Sequence, residues 1–153
     1  MANTYTQIHL QLVFAVKYRA CLVQKTWKEE LHRYITGIIQ NNGHKLLIIN
    51  AMPDHIHILI GFRPTQALAD LMRDIKQMSS LWINEKKFLK SKFAWQEGYG
   101  AFSYGHSQLK KIIRYIENQE LHHQKRTFLE EYKEFLELFE VEFEEIYIFK
   151  EPE

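Results

Sequence analysis

The sequence predicts an α+β fold in which a four-stranded antiparallel sheet carries helices on one face. Two short runs rich in β-branched residues flank the turn sequence Met52-Pro53-Asp54, which is the pattern of a β-hairpin. Longer stretches on both sides of the hairpin have apolar residues at helical spacing, and a further strand-like run lies beyond each of them. Strands and helices therefore alternate in an order that lets the helices cover one face of a sheet.

The first half of the chain contains three predicted strands and one predicted helix. A loose alternation of apolar and polar side chains predicts the first strand over residues 5–18. Thr26-Trp27-Lys28-Glu29 has the pattern of a capping box, so we expect a helix from there to the glycine stop at Asn41-Asn42-Gly43. Residues 45–51 and 55–61 are the two strands of the hairpin.

The second half contains three predicted helices and the last strand. A long helix is expected after Pro64-Thr65, and its apolar stripe is interpreted as core packing. Residues 93–104 predict a strand that bends where glycines interrupt it. Ser107 is a candidate cap for a helix through residues 109–120, and Thr127-Phe128-Leu129-Glu130 is a capping box for the last helix. The order β-α-β-β-α-β-α-α is that of a ferredoxin-like architecture.

Length and composition indicate one small globular domain. Of the 153 residues 46% are apolar, enough for a sizeable core, and we expect residues 1–153 to form a single domain. Cys21 is the only cysteine, which excludes an internal disulfide and fits a reducing compartment. Residues 1–7 lack the pattern of a signal peptide, and no apolar run approaches the roughly 18 residues that span a bilayer. We therefore expect a cytoplasmic protein without a membrane partner.

Charge is distributed unevenly along the chain. The segment 129–153, which we expect to form an acidic C-terminal helix and tail, has two Lys against ten Glu, a balance of −8. Because the whole chain has a net charge of +1, residues 1–128 carry +9. A basic body with an acidic tail suits a surface that binds a polyanion, and nucleic acid is the expected partner. The tail could equally serve solubility alone.

The motif His55-Ile56-His57 places two imidazoles on one face of a strand. Side chains alternate across a strand, so the two histidines project together while Ile56 and Ile58 project to the other face. Two imidazoles on a rigid strand form half of a divalent-metal site. Such a pair taken alone is more often structural than metal-binding.

A second group of polar residues lies on the predicted helix 109–120. Its apolar positions keep helical spacing, and Tyr115 and Gln119 lie one turn apart on a neighbouring face. Taken alone, this is an amphipathic helix with a tyrosine at the edge of the core. Together with the two imidazoles, however, the phenol and the carboxamide provide the groups needed for metal-assisted phosphoryl transfer.

These two motifs, in this order, resemble those of a known family. Asp54-His55-Ile56-His57 is similar to the His-hydrophobic-His (HUH) motif, and Tyr115-Ile116-Glu117-Asn118-Gln119 to the nucleophile helix, of the single-tyrosine transposases, the TnpA-like enzymes of small bacterial insertion sequences. Further similar segments follow the family order and cover most of the chain. They are Ile8-His9-Leu10, Phe14-Ala15-Val16-Lys17-Tyr18-Arg19, Gly98-Tyr99-Gly100-Ala101-Phe102-Ser103 and Gln119-Glu120-Leu121-His122-His123-Gln124-Lys125.

The resemblance implies a transposase that cleaves and rejoins single-stranded DNA at hairpin ends of its own element. Tyr115 would be the nucleophile and form a covalent 5′-phosphotyrosine. His55, His57 and Gln119 would hold Mg²⁺ or Mn²⁺, and because all three ligands are neutral the ion keeps its full positive charge for the phosphate. The resemblance also implies a homodimer in which the tyrosine of one subunit can serve the histidines of the other.

A set of basic residues is expected to contact the DNA phosphates, with exposed aromatic side chains available to stack bases. Each of these residues taken alone is an ordinary solvated charge, and only the set is informative. The candidates are Lys17, Arg19, Arg73, Lys76, Lys110, Lys111 and Arg114.

Three other functions remain open from the sequence. A domesticated relative would nick DNA with the same chemistry without transposing, and repeats flanking the gene would separate the two. A non-catalytic ferredoxin-like module would bind single-stranded nucleic acid through its sheet, although His55 and His57 occupy the face that such a module uses for stacking. A metal-dependent hydrolase would use water in place of Tyr115 as the nucleophile.

Overall fold

Four strands form one antiparallel sheet in the order β2-β3-β1-β4 in a computed structural model that describes residues 4–123 and 127–142. This confirms the predicted α+β class and the ferredoxin-like strand order. The strands are β1 (His9–Ala15), β2 (Lys45–Met52), β3 (His55–Gly61) and β4 (Gly100–Tyr104); the α-helices are α1 (Lys25–Asn41), α2 (Leu68–Lys86), α3 (Leu109–Glu117), α4 (Gln119–His123) and α5 (Phe128–Leu138); short 3₁₀ turns span Lys17–Arg19 and His106–Gln108.

The central strands β1 and β3 position the histidines. Their antiparallel register sets Val13 opposite His57 and Ala15 opposite His55. Directly opposed residues point to the same face, so the histidines share one face with the odd-numbered residues of β1. The alternation predicted for residues 55–61 is therefore confirmed.

Helices α1 and α2 cover the other face and form the main core with it. Trp27, Leu31 and Ile35 of α1 and Leu71 and Ile75 of α2 are buried there. The sheet residues of this core are Leu12, Phe14, Ala51, Ile56, Ile58 and Ile60. In β1 and β3 the core residues are thus the even-numbered ones, on the face opposite the histidines.

A second, smaller core lies on the histidine face, where α3 and α5 pack. Val13, Ala15 and Phe102 of the sheet are buried against Phe128 and Leu136 of α5. The aromatic side that the sequence predicts for the last helix packs here, and the capping box that begins this helix is confirmed by a 3.2 Å bond from the Glu130 amide to Thr127 Oγ1.

Two predicted boundaries near the first strand were wrong. β1 ends at Ala15, because the chain then turns through left-handed backbone at Tyr18 (φ 60°) and Arg19 (φ 52°). The capping box at Thr26 does not form, since α1 already begins at Lys25 and the cap position is occupied by Gln24 without a side-chain bond. Tertiary contacts set this start: the Val23 amide donates to the carbonyl of Pro53 at 3.0 Å.

The fourth strand is shorter than the predicted span 93–104. Only Gly100–Tyr104 pairs in the sheet, and Trp95 forms an isolated bridge with Val16. The expected bend lies at Gly98, where φ is +85°. Lys76 on α2 donates to the carbonyls of Gln96 and Gly98 in this bend. The bend is therefore held against α2, near the end of β1.

The helix expected through residues 109–120 is broken at Asn118, which separates α3 from α4. Ser107 lies inside the preceding 3₁₀ turn and does not cap α3. The predicted acidic segment 129–153 is described only as far as residue 142, and residues 143–153 lie outside the described part. Among the described residues, no helix is long and apolar enough to cross a membrane.

Candidate active site

The two histidines of β3 are almost completely buried beneath α3 and α5. His57 is 0% and His55 1% exposed. The ring of Phe128 stacks on His55 with centroids 4.4 Å apart, and the rings of Tyr115 and His57 lie edge to face at 6.2 Å. The strand alternation thus aims both imidazoles at a site enclosed by two helices.

A polar neighbour orients each imidazole through Nδ1. His55 Nδ1 lies 2.6 Å from Asp54 Oδ1, and His57 Nδ1 lies 2.7 Å from Gln11 Oε1. Gln11 is itself fixed, since its Nε2 donates to the Tyr104 hydroxyl at 2.8 Å. Because both neighbours accept at Nδ1, the Nε2 atoms are directed into the site, as is usual for histidines that bind metal ions.

A carboxylate from α5 occupies the centre of the site. Glu131, 1% exposed, places Oε1 at 2.9 Å from His57 Nε2 and 3.9 Å from His55 Nε2. The ligand atoms of His55, His57 and Glu131 all lie within 4.8 Å of one another, a spacing that suits a metal ion. The sequence did not predict this carboxylate.

Tyr115 and Gln119 reach the same carboxylate from α3 and α4. The Tyr115 hydroxyl donates a hydrogen bond to Glu131 Oε2, and Gln119 Nε2 lies 3.3 Å from that oxygen. Gln119 Nε2 also lies 3.4 Å from the Tyr115 carbonyl, across the break between the two helices. The four site residues predicted from the sequence are therefore brought together around Glu131.

The hydrogen bonds around His57 fit a bound cation. With its proton on Nδ1 facing Gln11, the ring presents a lone pair at Nε2, and Glu131 Oε1 also presents a lone pair. Two acceptors 2.9 Å apart repel each other unless a positive charge lies between them. A proton or a metal ion would provide that charge, and the buried group of His55, His57 and Glu131 could hold a metal ion.

Asn50 on β2 fixes the position of α3. It pairs with His57 across the strands, and its Nδ2 donates to the carbonyl of Ile116 at 2.7 Å. Because Ile116 follows Tyr115, this bond ties the candidate nucleophile to the same sheet as the histidines.

Two other tyrosines of this face have raised pKa values. Burial raises the pKa of Tyr104 to about 12, against an opposing hydrogen bond from Gln11, and the nearby charge of Glu131 raises it further. Burial alone raises the pKa of Tyr132 to about 12. A phenol with a raised pKa gives up its proton less readily, and neither hydroxyl bonds to the histidines in the described contacts.

The predicted DNA contacts lie in three places. Lys111 and Arg114 line a surface depression with Tyr115, and Lys110 is exposed beside them on α3. Lys17 lies 5.4 Å from the ring of Tyr18 in the turn that contains Arg19. On α2, Arg73 pairs with Asp70 at 3.1 Å, and Lys76 donates to the carbonyls of Gln96 and Gly98 at 2.6 and 2.8 Å.

Of these cations, the group on α3 is nearest to the candidate nucleophile. Lys76 is half-buried, which lowers the pKa of its amine, and its two carbonyl bonds give it a structural role in holding the bend. Its contact with DNA, like the other contacts in the set, remains a prediction.

Sequence patterns offered a signal for two of the residues that were missed. Glu131 lies three residues after Phe128 and four before Phe135, which places a carboxylate on the apolar stripe of an amphipathic helix. Gln11 interrupts the apolar run of β1 on the face of Val13. Asn50 offers no comparable signal, because its partner is a distant backbone carbonyl.

Comparison with known proteins agrees with this geometry. Residues 4–119 match the family model described as Transposase IS200 like. Over 118 residues the chain is 26% identical to the ISDra2 transposase TnpA of Deinococcus radiodurans, covering 74% of this chain and 84% of that protein.

Two solved structures share the fold. A crystal structure of a candidate transposase from Deinococcus radiodurans R1 superimposes with a TM-score of 0.64 at 24% identity, covering 78% of this chain and 95% of that one. A REP-associated tyrosine transposase bound to a REP hairpin superimposes with a TM-score of 0.61 at 14% identity, covering 80% of this chain and 73% of that one.

Proposed function

The chain belongs to the family of IS200-like transposases, and we propose that it cleaves and rejoins single-stranded DNA through a covalent 5′-phosphotyrosine at Tyr115. The observation that carries this proposal is the hydrogen bond of the Tyr115 hydroxyl to a buried carboxylate that also lies against His57. The phenol is thereby directed at the point on which both histidines converge. The same chemistry would serve a domesticated relative that nicks without transposing.

The proposed cleavage step forms one bond to the scissile phosphorus and breaks one. Tyr115 Oη gives up its proton and attacks the scissile phosphorus, an Oη–P bond forms, and the bond from phosphorus to the 3′ oxygen breaks. The leaving 3′ oxygen takes up a proton and becomes a free 3′ hydroxyl, while the 5′ end stays on the tyrosine. Attack by a new 3′ hydroxyl reverses these bonds and joins the strands, so no external energy source is needed.

His55, His57 and Gln119 are the proposed ligands of Mg²⁺ or Mn²⁺, because all three side chains lie beside the same buried carboxylate of Glu131. When bound, the ion would polarise a phosphate oxygen as a Lewis acid. Imidazole and amide ligands suit Mn²⁺ as well as Mg²⁺.

Single-stranded DNA is the proposed substrate, and the hairpin ends of its own element are the proposed sites. A relative of this fold has been solved with a REP hairpin, which supports a hairpin as the recognised feature. Lys111 and Arg114 line a depression with Tyr115, and Lys110 is exposed on the same helix. These cations would bind the phosphates on either side of the cleaved one.

The test is incubation with single-stranded DNA that carries the native flanks of the gene, in Mg²⁺ or Mn²⁺, followed by denaturing electrophoresis and mass spectrometry. We expect a covalent protein–DNA adduct and a free 3′ hydroxyl on the released strand. Cleavage without an adduct would mean that water is the nucleophile. Tight binding without cleavage in either metal would favour the non-catalytic nucleic-acid-binding module.

A further inference from the structure

The reactive atoms of the site are closed off from solvent by α5. His55, His57, Gln119 and Glu131 are each at most 1% exposed, and Tyr115 is only partly exposed. A DNA phosphate cannot reach the Tyr115 hydroxyl and the histidines together while Glu131 fills the space between them. The structure is therefore that of a closed site.

Glu131 makes the contacts that the proposed reaction assigns to the scissile phosphate. One of its oxygens accepts from the Tyr115 hydroxyl, and the other lies 2.9 Å from His57 Nε2. During attack the phosphoryl group must lie within about 3–3.5 Å of the tyrosine oxygen. It must also present an oxygen to the ion on the histidines. A carboxylate, which like the phosphate presents negatively charged oxygens, satisfies both sets of contacts.

Aromatic packing holds the helix of Glu131 in place. Phe128 stacks on His55 at 4.4 Å, and Phe135 stacks on Phe102 of β4 at 5.3 Å. Gly100 permits a close approach, since a Cβ at this position would lie 2.7 Å from Tyr132 Cε1. Helix α5 and this face of the sheet are thus complementary surfaces.

Resting on the function proposed above, we propose that α5 is an internal pseudosubstrate lid and that Glu131 occupies the position of the scissile phosphate until DNA displaces it. Binding of single-stranded DNA and docking of α5 are then mutually exclusive at this site. The site opens only for DNA that binds well enough to displace the helix, which limits cleavage of unrelated strands.

Charge supports competition between Glu131 and DNA. A buried carboxylate is costly unless hydrogen-bonded, and Glu131 accepts a hydrogen bond from the Tyr115 hydroxyl and lies 3.3 Å from Gln119 Nε2. A phosphate would satisfy the same groups and would add contacts with the exposed Lys111 and Arg114 beside them. Replacing the carboxylate by a neutral amide should therefore weaken docking of the lid and favour DNA.

The experiment compares wild type, Glu131→Gln and Glu137→Gln as full-length chains in chelated buffer. Glu137 is exposed on the same helix, so its variant makes the same change in net charge away from the site. The first measurement is the Kd for single-stranded DNA with the native flanks. We expect Glu131→Gln to bind about tenfold more tightly, the effect of losing one charge-assisted hydrogen bond from the closed state, and Glu137→Gln to bind much as wild type does.

The second measurement is amide hydrogen exchange in wild-type α5 with and without this DNA, and it does not depend on any variant. We expect residues 128–138 to exchange faster when DNA is bound. If they stay protected, or if Glu131→Gln binds no more tightly than Glu137→Gln, α5 is not a competitive lid. Neither measurement involves cleavage. A failed adduct assay would therefore reject the proposed chemistry and leave the lid to be decided by DNA affinity and hydrogen exchange.

Discussion

Asn50 Nδ2 lies 2.7 Å from the carbonyl oxygen of Ile116, and this bond holds α3, the helix of the proposed nucleophile, on β2, where Asn50 pairs with His57 of β3. Its role is positional, because Asn50 contacts neither the tyrosine hydroxyl nor the Nε2 atoms of the histidines in the described bonds. The alignment of α3 on the sheet thus depends on a side chain that takes no part in the proposed chemistry.

Asn50→Ala should slow cleavage while leaving ion binding intact. A misplacement of about 1 Å at the reacting atoms can cost roughly a hundredfold in rate, and we expect a loss of about ten- to a hundredfold. Calorimetric titration with Mn²⁺ should give the wild-type affinity. Asn42→Ala is the control, because Asn42 makes a similar 2.8 Å bond to the Ile38 carbonyl away from the site. Equal losses in both variants would argue against a positional role for Asn50.

Tyr115→Phe should abolish the covalent adduct. Only the hydroxyl is removed, so the ring keeps its edge-to-face contact with Phe135 at 5.9 Å. The lost bond to the buried Glu131 should lower the melting temperature without unfolding the chain. Tyr132→Phe removes another hydroxyl on the same face and should still form the adduct. Mass spectrometry that placed the DNA on Tyr104 or Tyr132 would overturn the assignment.

His55→Ala and His57→Ala should each abolish cleavage and Mn²⁺ binding while leaving much of the DNA affinity. Both Nε2 atoms are aimed into the site, and the cations proposed to bind phosphates lie elsewhere. Gln119→Ala should reduce the rate less, since water can replace one ligand. Cleavage at the wild-type rate by a folded histidine variant in chelated buffer would contradict the metal role.

His32 should make the free energy of unfolding depend on pH. Its Nε2 accepts a hydrogen bond from the Ala51 amide at 2.9 Å, and burial lowers its pKa in the folded chain although Glu29 opposes this effect. The unfolded chain therefore takes up a proton first, near pH 6.5, and the contribution of His32, complete above that pH, is lost as the pH falls through its folded pKa. Urea unfolding of wild type and His32→Gln between pH 8 and 5 should show wild type losing more stability. A constant difference between the two would contradict this.

A homodimer is expected, because a transposase must hold two DNA ends together. The described contacts join Tyr115 to the histidines within one chain. This arrangement predicts that a mixture of His57→Ala and Tyr115→Phe subunits stays inactive. Recovered activity would mean that the nucleophile helix is exchanged between subunits, and light scattering that showed a monomer at working concentration would contradict the dimer.

Local periodicity was sufficient to predict the sheet and the face of the histidines. The alternation in residues 55–61 depends only on strand geometry, and it placed His55 and His57 together correctly. Tyr115 and Gln119 were correctly placed near each other, but the helix break at Asn118 was not predicted, since nothing as strong as proline marks it.

Long-range packing decided what the sequence did not predict. Glu131 belongs to a segment so rich in glutamate that solvation was the natural interpretation of its charge, and only the docking of α5 shows it buried. The cap expected at Thr26 failed because the bond from Val23 to Pro53 sets where α1 begins. The burial of Glu131 and the start of α1 both depend on contacts between segments far apart in the chain.

Because side chains alternate strictly along β3, the pairing register of this strand is as important as its composition. If one residue were inserted between Asp54 and His55 and the strand absorbed it by shifting its pairing with β1 by one residue, every following side chain would change sides. Both imidazoles would then enter the layer of α1 and α2, and the isoleucines would line the polar side. When the strand pairing absorbs a change in hairpin length, the histidines therefore stay on their face only if an even number of residues is inserted or deleted. Deletion scanning would detect this constraint even where no functional group is removed.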